Sequence, residues 1–248
     1  MESFKLTADE LMEKDPELAI IPVGSLEQHG PHLPLMTDWA IATELGRRVA
    51  ELTGGFLLPA LPISTCREQM GKKGSVWMEP TTFYQMMTDI VMCLKLQGFK
   101  RVAILPCHGG IFILTPIVRD LNAKYNPDLQ VALVDYGIFS EKLYKEGIRE
   151  TNNELHAAEG ETSMMLAIAP ETVHMDRAVD FVPTYPRPYL NFGSVLQICP
   201  DGVWGESTCS TAEKGEKMFQ RYAELMVEEI NNIFRFIEQK KKINYSNF

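Results

Sequence analysis

A chain of 248 residues, 45% apolar and 23% charged, with 24 Lys plus Arg against 33 Asp plus Glu, carries a formal charge of −9 and has an ordinary globular composition. That acidity argues against a general polyanion binder, because nucleic-acid affinity rests on Lys and Arg neutralising phosphates, and the run Lys240 to Lys242 reads as a solvated helix end. Five cysteines without a C-x-x-C pair, no leader pattern, and no apolar stretch near the ~18 residues that span a bilayer point to a cytoplasmic protein without nucleic-acid or membrane partners.

Short aliphatic runs alternate with segments of helical period, the pattern of βαβ units on a mainly parallel sheet, and the length fits one domain over 1–248. The first run, residues 18–23, is apolar on both faces, as a strand covered by helices on both sides must be. It empties into a Gly/Pro-marked loop, residues 24–34, before a helical segment that carries Ile41, Leu45, Val49 and Leu52 in register and opens at Asp38, a candidate N-cap. A second strand over 56–59 leads to a connection over 61–80, long enough for a hairpin, a lid or a subunit contact. A helix over 82–97 stops at Gly98, and a strand over 101–106 delivers Cys107-His108-Gly109-Gly110. A helix over 111–125, a strand over 129–135, a helix over 159–169 and a turn-rich stretch over 173–209 follow. The chain closes on an amphipathic helix from Thr211 to about Lys240, whose Phe219, Tyr222, Met226, Ile230, Ile233 and Phe234 stripe is core or interface.

Of five histidines, four (His29, His32, His108 and His156) sit beside carboxylates in loops at the carboxyl ends of predicted strands or in Gly-marked segments, the side where open α/β sheets bind ligands. His174 reads as a surface residue. Glu27 and His29, at i and i+2, project to the same side of an extended loop, and Asp38 follows nine residues later. Carboxylate beside imidazole suits divalent transition metals, and one aspartate can bridge two ions about 3.5–4 Å apart. With His108 and a carboxylate from His156-Ala-Ala-Glu159-Gly-Glu161, two ions would each have three protein ligands and open positions for water and substrate. The spacing alone fits equally well a plain N-cap aspartate, two core histidines and exposed glutamates.

The segment from Pro22 to Asp38 resembles the signature of the creatininase (creatinine amidohydrolase) family. Cys107-His108-Gly109-Gly110, the stretch from His156 to Ser163, Gly202-Val-Trp-Gly-Glu-Ser207 and Thr211-Ala-Glu-Lys-Gly215 match further motifs in the family's order, across residues 20 to about 235. The resemblance implies a three-layer α/β/α domain with a mainly parallel sheet and a dinuclear centre of two divalent ions, zinc first, with manganese or iron in other members. It implies hydrolysis of a carbon–nitrogen bond in a small amide by metal-bound hydroxide, and a homo-oligomer, a hexamer in many members. Carried over by position, Glu27 and His108 hold one ion, His29 the other, and Asp38 bridges both. Gly110 stands where creatininase has a ligand glutamate; by resemblance to relatives with glycine there, Glu159 is the replacement, with Glu161 behind it and exchangeable with it. His156 matches the catalytic histidine that protonates the leaving nitrogen, and His32 a partner that orients a ligand.

Three departures bear on the substrate. No tryptophan lies between Tyr136 and His156, where creatininase encloses creatinine, so another small cyclic amide or an N-formyl amide is expected. Arg67-Glu68-Gln69 stands where relatives carry a Glu-His pair, followed by an apparent insertion over 72–77, and Cys107 replaces a frequent asparagine. Two other readings use the same residues: a catalytically silent oligomeric scaffold that binds a small molecule, and a dinuclear phosphoester hydrolase drawing on Arg67, Lys72 and Lys73.

Overall fold

The computed structural model describes residues 3–239, so Lys240 to Lys242 lie outside the described residues. Four parallel strands, β1 (Leu18–Val23), β2 (Phe56–Leu57), β3 (Arg101–Pro106) and β4 (Gln130–Leu133), form a sheet in the order β2-β1-β3-β4. The helices are α1 (Ala8–Lys14), α2 (Thr37–Thr53), α3 (Pro80–Leu96), α4 (Leu114–Tyr125), α5 (Ser140–Lys145), α6 (Glu159–Ile168), α7 (Val195–Ile198) and α8 (Ala212–Gln239). Alternation along the strands divides the core. Ile20, Ala103, Leu105 and Ala132 pack against Ile41 and Leu45 of α2, Met164 and Met165 of α6, and Phe219 and Met226 of α8. Ala19, Ile21, Val102 and Ile104 face the other way, onto Phe83 and Met87 of α3 and Ile117 of α4. The result is the expected three-layer α/β/α arrangement, with β1 flanked on both edges and buried on both faces.

The α8 stripe is core: Phe219, Tyr222, Met226, Ile230 and Phe234 are at most 4% exposed, each burial contributing about 1.5–3 kcal/mol. Two boundaries differ from the sequence reading for a backbone reason. The fourth helix begins at Leu114 rather than at residue 111, which places Pro116 in its first turn, where the missing N–H costs nothing. β2 is only two residues long, yet the chain beyond it stays beside β1, with Leu61 N–H donating to Pro22 O and Gly24 N–H to Leu61 O, both at 3.0 Å. The connection after it does not stand away from the fold. It makes a short 3-10 turn, Arg67–Gln69, and returns through a bridge between Val76 and Leu26. No described helix is long and apolar enough to cross a membrane.

Candidate active site

β1 and β3 pair in register with Val23 opposite Pro106, so the loops that leave them emerge side by side. Gly24 allows the next element to close over this exit. A Cβ there would stand 2.6 Å from the Trp39 nitrogen and 2.7 Å from the Asp38 carbonyl carbon, so only glycine lets the first turn of α2 rest on the strand end. Asp38 is therefore not the N-cap. Met36 holds that position, and Asp38, second in the helix and 1% exposed, turns inward to accept from Ser25 Oγ at 2.8 Å. The helix N-terminus favours its negative charge.

Each Asp38 oxygen faces a different imidazole: Oδ1 lies 3.0 Å from His29 Nε2 and Oδ2 3.2 Å from His108 Nδ1. Glu27 Oε1 is 3.2 Å from the same His108 nitrogen, and Glu161 Oε2 is 3.8 Å from His29 Nε2. His29 Nδ1 donates to the Glu27 carbonyl at 3.1 Å, so Nε2 is the ring nitrogen that faces the carboxylates. Both oxygens of Glu27 are buried and accept no hydrogen bond from any described residue. A buried carboxylate in that condition costs several kcal/mol unless a cation faces it. Ligand atoms about 2.0–2.2 Å from one zinc ion stand roughly 3.3–3.6 Å apart, and the distances here bracket that spacing. Three sets of side chains bring possible ligand atoms together: Glu27, Glu68 and His108; His29, Asp38 and Glu161; and Glu27, His29 and His156. The donor set fits divalent cations.

Charge in the cluster follows from burial and proximity. Burial pushes the Glu27 carboxyl up, against the pull of His108. Burial alone would lower His29, but Asp38, Glu161 and Glu27 outweigh it and raise the imidazole to about 10; against the same burial, Glu27, Asp38 and Glu68 hold His108 well above its ordinary value. Asp38, although buried, is held far below the usual carboxylate range by His29 and His108. Burial takes Glu161 up to about 8.

His156 lies against this cluster, its ring centroid 4.4 Å from that of His29. Its backbone pairs with Trp204, and the next residue, Ala157, has a left-handed φ of +52°, a conformation that L-residues hold only under constraint. Ala157 N–H donates to Glu161 Oε2 at 2.6 Å, and an ion pair nearby, Arg149 to Glu154 at 2.6 Å, has a glutamate that also accepts from Gly160 N–H at 2.8 Å. Nε2 of His156 donates to the Gln28 carbonyl at 2.7 Å, leaving Nδ1 as acceptor, 3.7 Å from Glu27 Oε1 and 3.4 Å from Gln69 Nε2. Burial and the neighbouring His29 keep this imidazole neutral, well below its ordinary value.

Of the sequence-derived site residues, Glu27, His29, Asp38, His108 and His156 come together; Glu159 does not. Its carboxylate accepts from the Glu150 and Thr151 amides, the Thr151 hydroxyl and Lys214 Nζ, all at 2.8–3.1 Å. Two residues along a helix turn about 200°, so Glu159 faces α8 while Glu161 faces His29. His32 stands behind the cluster, with Nε2 2.9 Å from Thr162 Oγ1. Glu68 and Gln69 are the residues that sequence reasoning missed. Glu68 Oε1 lies 2.8 Å from His108 Nε2 and fills the space beside Gly110, where a Cβ would meet it at 1.9 Å. The unusual Arg67-Glu68-Gln69 stretch was the available signal. The segment over 72–77 lies against the site loop: Ser75 Oγ accepts from Gln28 N–H at 3.0 Å. Cys107 is buried and its thiol pushed well up by that burial, so it is inert.

A cavity of about 710 Å³ opens over His108, His156, Glu68 and Glu161, and neither Trp39, Trp77 nor Trp204 lines it. The creatininase family model, described as creatinine amidohydrolase, matches residues 5–230. The chain belongs to the creatininase family. It is 30% identical to creatinine amidohydrolase of Pseudomonas putida over 81% of this chain and 84% of that one. It is also 30% identical to the mycofactocin precursor peptide peptidase of Mycobacterium ulcerans, over 88% and 84%. The crystal structure of creatinine amidohydrolase superposes with a TM-score of 0.80 at 24% identity, covering 92% of this chain and 96% of that one, which shows the shared fold. Creatininase structures include a zinc–zinc form and a manganese form. As a member of this family the chain is an enzyme, a metal-dependent hydrolase, and the silent-scaffold reading falls.

Proposed function

We propose that this creatininase-family enzyme holds two divalent cations and hydrolyses the carbon–nitrogen bond of a small cyclic amide or N-formyl amide. The observation that carries the proposal is the buried Glu27 carboxylate, without a hydrogen-bond donor and facing the imidazoles that also face Asp38. Glu27, Asp38 and His108 would hold one ion, and His29, Asp38 and Glu161 the other, Asp38 offering one oxygen to each side. Bound cations supply Lewis acidity: they acidify a water toward neutral pH and polarise the substrate carbonyl.

The chain's own groups do the rest. Neutral His156, whose Nδ1 lone pair is engaged only by a long contact of 3.4 Å from Gln69 Nε2, takes a proton from the attacking water at that nitrogen and gives it to the departing nitrogen of the substrate. The Gln28 carbonyl fixes the tautomer that makes Nδ1 the working atom. The amides of Gly109 and Gly110 line the cavity and donate to no described group, so they are available to a developing oxyanion. Absence of tryptophan from the cavity supports a substrate other than creatinine. The phosphoester reading has less support: of Arg67, Lys72 and Lys73 only Arg67 lines the cavity, and it pairs with Glu79 at 2.5 Å. A single experiment tests the ligand set. Protein purified without chelator, measured by plasma mass spectrometry, is expected to carry about two ions per chain, Glu161→Gln about one, and Glu159→Gln about two. One ion lost from Glu159→Gln and none from Glu161→Gln would reverse the assignment.

A further inference from the structure

Glu68, Glu161 and two arginines, Arg67 and Arg187, line the cavity over the cluster, and the two arginines differ. Arg67 is committed to Glu79. Arg187 forms no ion pair with any described residue. It opens the 3-10 segment Arg187–Asn191, and its Nη2 donates to the Gly109 carbonyl at 3.1 Å. One of five N–H donors is thus used, and four remain. The guanidinium packs close to Gly109, where a Cβ would stand 3.1 Å from Nη2. Adjacent Cα atoms are about 3.8 Å apart, so this anchor point is a single residue from His108. The cation is held by a backbone carbonyl rather than by an ion pair, with Asp135 near enough to feel its charge, and so it is left open to a ligand. The wall beside it is apolar, from Phe112, Leu190 and Val195, and the volume far exceeds what a five-membered ring needs.

We propose that Arg187 anchors an anionic group of the substrate, so that the amide cleaved here carries a carboxylate or a phosphate beyond its scissile carbonyl. The proposal rests on the metal-hydrolase reading and narrows its substrate class. A guanidinium fork accepts either anion in bidentate fashion, and both present the same chemistry to Arg187.

The test uses the full-length zinc-loaded protein and three hydroxamates that share a zinc-binding head and differ at the far end: butyrohydroxamate, succinic acid monohydroxamate and 3-phosphonopropionohydroxamate. Calorimetry is expected to show an anionic probe binding about ten- to a hundredfold more tightly than butyrohydroxamate. The tighter of the two anionic probes identifies carboxylate or phosphate as the group recognised. In Arg187→Ala the preference disappears while butyrohydroxamate still binds, which also shows that the variant is folded; Arg187→Lys retains part of the preference. Equal affinities in the unsubstituted protein, or a preference that survives Arg187→Ala, would overturn the anchor and leave the hydrolase reading standing. Failure of zinc itself to bind would overturn both.

Discussion

At the floor of the cavity, Glu27, His29, Asp38 and His108 hang from the ends of β1 and β3 and from the first turn of α2, none more than 8% exposed. Along the wall, Arg67, Phe112 and Arg187 stand exposed on short turns, and Arg187 is held by one hydrogen bond. The floor is over-determined: strand register, the Gly24 contact and mutual ion pairing each fix the same atoms. Because its carboxylates crowd without enough donors, it is also the part of the molecule that a bound cation must relieve. The wall carries no such conflict, so its side chains can change without disturbing the chemistry below. On the proposed function, reaction type resides in the sheet ends and substrate choice in the turns.

The most severe way to break the floor is Asp38→Ala. It removes an oxygen from each half of the cluster, and metal content should fall from about two ions per chain to near none, with hydrolysis down by about a thousandfold or more. Unchanged metal content would show that Asp38 does not bridge. His156→Ala separates proton transfer from metal binding: both ions stay, while kcat drops roughly 10²- to 10⁴-fold. Undiminished turnover would remove His156 from the reaction. Glu27→Gln sharpens the contrast through stability. In chelator-treated protein, replacing the orphaned carboxylate should raise unfolding stability by about 1–3 kcal/mol in urea titrations, whereas Arg67→Gln on the wall should shift it by less than about 1 kcal/mol. A destabilised Glu27→Gln would mean that the floor is not strained.

The smallest expected effect concerns His32, behind the floor. Burial lowers its imidazole to about 4, so the folded chain keeps it neutral while the unfolded chain protonates it near 6.5. Its contribution is present above about pH 6.5 and is lost as pH falls from there toward about 4, because the unfolded state then binds the extra proton. His32→Gln should show a smaller drop in urea midpoint between pH 7 and pH 4.5 than the unsubstituted chain. An identical drop would place the acid sensitivity elsewhere.

Some of this architecture was legible before any coordinates. The two-faced apolar runs at Leu18–Val23 and Arg101–Pro106 are strands with those bounds, because burial on both sides leaves no other period for the residues to follow. Five of the six predicted site residues converge, since Gly/Pro-marked loops at parallel strand ends open on one edge of the sheet. Glu159 and Glu161 were not separable in the same way. Both open one helix with the same chemistry, and which one meets His29 depends on how α6 is rotated against α2 and α8. Glu68 was hidden for a related reason: its partner, His108, is 40 residues away, and only the return of the 61–80 connection over β1 brings the two together. Local sequence thus determined which chemistry-bearing residues exist and which strands present them. Helix rotation and loop return are set by the packing of whole elements, and tertiary structure alone decided which carboxylates face His29 and His108 and which arginine is left facing the cavity.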